Sequence, residues 1–303
     1  VTEFLPLQPY FLIPMKILVI GGTGTVGSQV VRELLVRGAK VGVLTRQPEK
    51  ARLPDGVTVV RGDLLDPDTA RHAFRGFDRV FMLNATGPTE NHEGLMGVWG
   101  ARAAGVQHFV YLSIHRLHTA PHIPHFASKM PIEAAVQASG MGWTILRPNN
   151  FFQNDEWFKE AILKHGVYPQ PVGPRGLSRV DVRDIAEAAA SALTQPGHSG
   201  QIYELAGPDI LTGVATAEIW SRALGRSVAY AGDDLEQWET SFRPWLAPWM
   251  LYDFRLMYDW FIQAGLAATP DELRRLTKLL GHPPRSFEAY VKETAASWLR
   301  QAA

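Results

Sequence analysis

Gly21-Gly22-Thr23-Gly24-Thr25-Val26-Gly27 is the stretch whose reading decides the fold. It follows Lys16-Ile17-Leu18-Val19-Ile20, an apolar run of buried-strand length that the glycines stop abruptly. Beyond it, Val26, Val30, Val31, Leu34 and Leu35 recur at helical spacing until Gly38 ends the helix. Gly22-x-Gly24-x-x-Gly27 therefore stands directly after a strand and directly before a helix. A glycine triplet alone says little, but in this frame each glycine has a physical task. One makes the tight turn, one lets the backbone approach a pyrophosphate, and one lets the helix pack closely on the strand. The helix N-terminus adds free N–H groups and the positive end of its dipole. The pattern predicts a dinucleotide site with Gly21, Thr23, Gly24, Thr25, Val26 and Gly27 around the phosphates.

Outward from the loop, strand and helix alternate. Further strands are expected at Lys40–Thr45, 57–60, 79–83, 109–112 and 143–146, with helices over 70–75, 92–104 and 126–139. Short connections between alternating elements predict an α/β fold, a doubly wound parallel sheet of Rossmann type with helices on both faces. The choice of dinucleotide turns on the end of the second strand. A site for NAD usually places an acid there, about 20 residues past the glycines, to hold the ribose 2′-OH. Here Leu44-Thr45-Arg46-Gln47 offers no acid before Glu49. Arg46, assisted by Lys50, suits a 2′-phosphate instead, so NADP(H) is preferred, with NAD(H) left open.

Thirty Lys and Arg balance thirty Asp and Glu, which removes any general electrostatic pull toward nucleic acid or an anionic membrane. The absence of cysteine excludes disulfides, a thiolate nucleophile and Cys-based metal sites, and fits a cytoplasmic location. No apolar run approaches the ~20 residues of a membrane helix. Residues 1–14 carry only Glu3 as a charge and lack the basic start of a signal peptide, so they read as an extension or leader ahead of a fold beginning near Met15. From 209 onward the alternation fades into a helix over 214–224, a short strand at 228–230, and a segment rich in rings. That segment holds Trp238, Phe242, Trp245, Trp249, Tyr252, Phe254, Tyr258, Trp260 and Phe261. Aromatic walls suit a planar or apolar small molecule, and equally core packing or the interface of a homodimer. Phe287, Tyr290, Val291 and Trp298 fit a final amphipathic helix. The expected organisation is a dinucleotide-binding domain over 15–208, with a substrate-lobe insertion near 151–180, and a smaller, mostly helical substrate-side lobe over 209–303.

Several motifs together resemble the NmrA-like group of atypical short-chain dehydrogenases/reductases, over nearly the whole chain from Met15. They are Gly21, Gly24 and Gly27, then Arg61-Gly62-Asp63-Leu64-Leu65-Asp66, Asn84-Ala85-Thr86-Gly87 and Leu146-Arg147-Pro148-Asn149-Asn150-Phe151-Phe152-Gln153-Asn154. Val180-Asp181-Val182-Arg183-Asp184-Ile185-Ala186, Tyr203-Glu204-Leu205-Ala206-Gly207-Pro208 and Gly281-His282-Pro283-Pro284-Arg285-Ser286-Phe287 complete the set. The resemblance implies that Asp63 and Leu64 lie near the adenine and that Asn84 and Ala85 pass the cofactor ribose. It also implies that Pro148, Asn149, Asn150 and Phe151 lie beside the nicotinamide, with the C-terminal lobe over the substrate.

Better-known short-chain dehydrogenases pair a Tyr with a Lys four residues later, the lysine easing proton exchange by the phenol. Here Lys129 has His125 four residues before it, and Ser113 ends the fifth strand, so the candidate catalytic set is Ser113, His125 and Lys129 without a tyrosine. His125 is a candidate general acid, the imidazole being the side chain suited to proton exchange near neutral pH, while Lys129 is a candidate ligand of the ribose hydroxyls. His115, His118, His122 and His125 invite a metal reading, but Pro121 and Pro124 interrupt the segment and no metal is expected. Asp181 and Asp184 read as a structural hydrogen-bonding corner. Two functions follow: an NADPH-dependent reductase of a small quinone, enone or carbonyl acceptor, or a non-catalytic NADP(H)-sensing regulator with a protein partner. An epimerase or dehydratase with tightly held NAD fits less well, since it would want the Tyr–Lys pair and an acid near Arg46.

Overall fold

The computed structural model describes residues 15–302; the expected leader lies outside them. In chain order the first half runs β1 (Lys16–Ile20), α1 (Thr25–Val36), β2 (Lys40–Thr45), β3 (Thr58–Arg61), α2 (Pro67–His72), β4 (Arg79–Met82) and α3 (Glu90–Ala103). It continues with β5 (His108–Leu112), α4 (Pro124–Ala127), α5 (Lys129–Ala138) and β6 (Gly142–Pro148). The second half holds β7 (Val167–Tyr168), α6 (Val182–Thr194), β8 (Gln201–Leu205), α7 (Gly213–Leu224) and β9 (Ala229–Tyr230). Four helices close the chain: α8 (Leu235–Phe242), α9 (Pro248–Ala264), α10 (Pro270–Leu280) and α11 (Phe287–Ala302).

Seven strands form one sheet in the order β3-β2-β1-β4-β5-β6-β8, every neighbouring pair parallel. The doubly wound parallel sheet expected from the alternation is what forms. A strand with both faces covered must send its side chains to two cores. In β1, Ile17 and Val19 enter the core under α1 and α6, while Leu18 and Ile20 enter the one under α3 and α5. In β5, Val110 and Leu112 divide from Phe109 and Tyr111 in the same way. Each such side chain contributes about 1.5–3 kcal/mol on full burial.

Among the departures from the expected elements, besides β7 and α6, are two local features. Gln201–Leu205 adds an edge strand that the sequence did not announce, because four of its five residues are only half-buried and carry no clean alternation. The helix expected over 126–139 is broken into α4 and α5. Pro131 has no N–H to donate and its ring crowds the carbonyl four residues back, that of Ala127. Ser128 at the joint keeps helical angles (φ −61, ψ −26), so the two pieces form one jogged helix carrying His125 before the jog and Lys129 after it.

Past the sheet, Trp220 of α7 stacks on Trp298 of α11 at 4.7 Å, and Phe152 and Phe287 join that core. From α9, Leu251, Met257, Tyr258 and Phe261 pack with Leu117, Ile123 and Phe126, laying α9 across the segment that leads from β5 to α5. The chain then returns to the sheet: Leu276 of α10 joins the core under α1 and α6. A capping box starts α10, with Glu272 N–H donating to Thr269 Oγ1 (3.2 Å) and Thr269 N–H to Glu272 Oε2 (2.6 Å).

Candidate active site

In the strand order the direction of winding reverses between β1 and β4, and open α/β sheets bind ligands outside the carboxyl ends at that switch point. The glycine loop occupies this point. Gly21 adopts φ +81, which an L side chain rarely adopts. A Cβ on Gly27 would lie 2.6 Å from the Gly21 carbonyl carbon and 2.8 Å from Gly22 Cα, so glycine there lets α1 start against the loop. A Cβ on Gly24 would meet only Gly21 O at 3.4 Å, leaving that side open toward the cleft.

That cleft encloses about 500 Å³ between the loop and the ends of β2, β3 and β4. Gly21, Thr23, Gly24, Arg46, Lys50, Asp63, Leu64, Asn84 and Ala85 line it. Thr25, Val26 and Gly27 are not among its lining; Thr25 is exposed, the Val26 side chain belongs to the core, and the three form the amino end of α1. Asp63 Oδ1 accepts the Leu65 N–H at 3.0 Å, which fixes the turn that follows β3 along the cleft. Arg46 and Lys50 are exposed at the rim, and their side chains make no hydrogen bond or ion pair among the described residues, leaving two cations free to meet a phosphate.

A second cleft of about 280 Å³ joins the first through Leu83 and Asn84. Its walls bring together Ser113, His125 and Lys129 with Pro148, Asn149, Asn150 and Phe151, and α9 closes it with Phe254, Met257 and Tyr258. All three candidate catalytic residues are therefore in one place. Lys129 Nζ donates to Glu90 Oε1 at 2.5 Å, both groups buried, and Ser128 Oγ donates to Glu90 Oε2 at 3.0 Å. His125 Nδ1 lies 2.6 Å from Asp253 Oδ1, and the His125 backbone N–H donates to Asp253 Oδ2 at 3.2 Å. Asn149 Nδ2 donates to the Leu266 carbonyl at 2.8 Å, while Asn150 Oδ1 accepts from Arg179 Nε at 3.1 Å, which stiffens the strand exit.

Glu90 and Asp253 are site residues that sequence reasoning missed. They stand 39 residues before Lys129 and 128 residues after His125, and nothing local marks them. Lys129 Nζ lies 5.7 Å from the centre of the Tyr111 ring. Tyr111 is buried away from both clefts, and burial, with Glu90 and Glu133 adding to it, pushes its phenol well above the usual range. Tyr258 lines the second cleft, and its burial likewise raises the hydroxyl.

The four histidines of 115–125 do not converge. His115 is buried against Asn149 Nδ2 (3.1 Å), His118 lies 3.0 Å from Arg147 Nη2, His122 is exposed, and His125 faces the cleft. His115 Nε2 is 3.4 Å from Glu272 Oε1, long for a hydrogen bond and read as a close electrostatic contact. Asp181 caps α6 by accepting the Arg183 N–H at 2.9 Å, and Asp184 pairs with Arg285, the structural corner the sequence suggested.

The residues present fit a dinucleotide. The side-chain amide of Asn84 and the hydroxyl of Ser113 are buried without any partner among the described residues, although buried polar groups are almost always paired. Asn84 sits where the two clefts join, and Ser113 lines the second, as partners for a ligand running between them. Together with the glycine cradle and the free cations at the rim, they define a dinucleotide-binding Rossmann protein with a second, aromatic-walled cleft beside the first.

The chain belongs to the NmrA-like family, whose pattern matches residues 14–241. It is 36% identical over 286 residues to the NAD(P)H azoreductase of Xenophilus azovorans, covering 93% of this chain and 99% of that one. It is 32% identical over 285 residues to the (4-alkanoyl-5-oxo-2,5-dihydrofuran-3-yl)methyl phosphate reductase of Streptomyces griseus, covering 93% and 99%. The crystal structure of the Escherichia coli NADPH-dependent quinone oxidoreductase with NADPH superposes with a TM-score of 0.82 at 25% identity, covering 92% of this chain and 99% of that one.

Proposed function

We propose that this chain is an NADPH-dependent reductase of planar, aromatic or conjugated acceptors. The observation that carries the reading is the junction at Asn84 of a phosphate-and-adenine cleft with an aromatic-walled cleft that contains Lys129, His125 and Ser113. NADPH, when bound, supplies the hydride. The chain's own residues hold and orient. Arg46 and Lys50 meet the 2′-phosphate, Asp63 and Leu64 the adenine, and the loop from Gly21 to Gly24 the pyrophosphate. Asn84 and Lys129 hold ribose hydroxyls, with Glu90 keeping the lysine in place. The strand exit from Pro148 to Phe151 backs the nicotinamide, leaving Ser113 and His125 toward the acceptor.

Trp157, Phe254 and Tyr258 favour a flat acceptor, since ring faces suit stacked or edge contacts. Quinones, enones, aromatic carbonyls and aryl azo compounds share that shape and the need for two electrons, and the relatives' reductase names point the same way.

The test is consumption of NADPH absorbance with a panel of these acceptors. Lys129→Ala alone is a poor control, because it strands the buried Glu90 carboxylate. The double variant Lys129→Met with Glu90→Gln removes the ribose contact while keeping the site neutral, and should abolish turnover in a folded protein. Tight NADPH binding with no turnover on any acceptor would favour the regulatory reading instead.

A further inference from the structure

Resting on the reductase reading, the pairing of α4 with α9 carries a step further. A hydride alone leaves most conjugated acceptors one proton short. His125 is placed at the start of α4, one residue after Pro124. Asp253 comes from α9, the C-terminal helix that walls the acceptor cleft. Both carboxylate oxygens are committed to this one residue, Oδ1 to the ring Nδ1 and Oδ2 to the backbone N–H. The ring is also held edge-on by Phe126 at 4.8 Å and by Phe254 at 6.0 Å. Besides Asp253, the charged groups around it are Lys129 on α5 and, behind that lysine, Glu90 on α3.

An ionised carboxylate can only accept, so the His125 nitrogen facing it must carry a proton. That leaves Nε2 as the nitrogen through which a proton comes and goes, the tautomer choice being made by the partner of the other nitrogen. We infer that Asp253 is a positioning residue that makes His125 Nε2 the proton donor to the reduced acceptor. The balance is simple. Hydride from NADPH brings two electrons and forms one bond to the acceptor. The electron pair displaced onto the acceptor oxygen or nitrogen then takes the proton from Nε2. NADP+, the protonated product and a neutral imidazole remain, and the imidazole regains its proton from water. The helix that shapes the acceptor pocket thus also sets the proton donor.

The structural alternative is that the pair only glues α4 to α9. Two acceptor types separate the two. A quinone or aryl azo compound needs hydride and proton, whereas a cationic triphenylmethane dye needs hydride alone, which neutralises its central carbon. In Asp253→Asn, kcat with the quinone or azo acceptor should fall by about 100-fold, within the range of general acid catalysis. Turnover of the cationic dye and affinity for NADPH should stay within about twofold of the parent protein. His125→Gln should show the same split, and Tyr258→Phe should not. Equal losses on both acceptor types, or the split appearing in Tyr258→Phe instead, would overturn the proposal.

A second readout needs no turnover. The ¹⁵N side-chain spectrum of the protein, with and without NADPH, should show neutral His125 protonated at Nδ1, and Asp253→Asn should lose that preference. A parent ring protonated at Nε2 would sink the idea directly. If the parent protein turns over neither acceptor, the reductase reading and the donor role fall together, while the spectrum still reports whether Asp253 sets the tautomer.

Discussion

Arg46→Ala should weaken NADPH binding by roughly 10- to 100-fold and leave NADH binding unchanged. Arg46 lines the cleft at the end of β2, is exposed, and has no protein partner among the described residues. Removing it therefore breaks nothing within the fold, and stability should change by no more than about 0.5 kcal/mol. Two unit charges 4 Å apart interact by about 1 kcal/mol in water and about 4 kcal/mol at an effective dielectric of 20. An open rim sits toward the lower figure, while a 2′-phosphate carrying more than one charge raises it. A charge-assisted hydrogen bond of about 1.5–3 kcal/mol brackets the result, and each 1.4 kcal/mol is tenfold in affinity. The assay is a fluorescence titration with each dinucleotide at about 50 mM and about 200 mM salt. The parent's preference for NADPH should shrink as salt rises, because the Debye length contracts, and the variant's should change little. Equal weakening toward NADH and NADPH would refute the assignment of Arg46 to the 2′-phosphate.

Gly27→Ala should lower the melting temperature and weaken both dinucleotides together, since a Cβ there would meet the backbone of Gly21 and Gly22 at 2.6 and 2.8 Å; overpacking of this kind costs about 1–3 kcal/mol. Glu90→Ala should destabilise by about 3–5 kcal/mol in denaturant unfolding by stranding the Lys129 ammonium, and the paired change Lys129→Met with Glu90→Gln should recover most of that. Burial opposes charge on Glu272, but the His115 ring, the Thr269 N–H and the Arg116 guanidinium outweigh it and hold the carboxyl at about 2. Because this carboxyl is depressed below its ordinary 4.5, its contribution is complete above pH ~4.5 and is lost as pH falls toward ~2. The shift sets an upper bound of about 3 kcal/mol, and its part-exposed position reduces that to about 1–2 kcal/mol. Glu272→Gln should flatten the acid limb of the stability–pH curve across that window, and an unchanged limb would remove Glu272 from the account of acid sensitivity.

The glycine-loop end of the cleft was legible from the sequence because its determinants are local. A strand, a glycine turn and a helix follow one another between Lys16 and Val36, and backbone sterics alone force the loop into shape. The rim cation Arg46 follows β2 directly, so its place was legible in the same way. The alternation of elements likewise determined the parallel sheet and the gathering of Ser113, Lys129 and the Pro148–Phe151 exit at the carboxyl ends of neighbouring strands. The edge strand β8 escaped notice because an edge is covered incompletely, and so leaves a weak hydrophobic pattern. What each catalytic candidate would face was decided only in three dimensions. Glu90 reaches Lys129 because α3 and α5 share one face of the sheet, and Asp253 reaches His125 because α9 folds back across α4. Such pairings depend on which buried charge meets which across separately folded elements. The physical reason is desolvation: a carboxylate taken out of water must find its partner through packing, and packing leaves no mark at a fixed spacing along the chain.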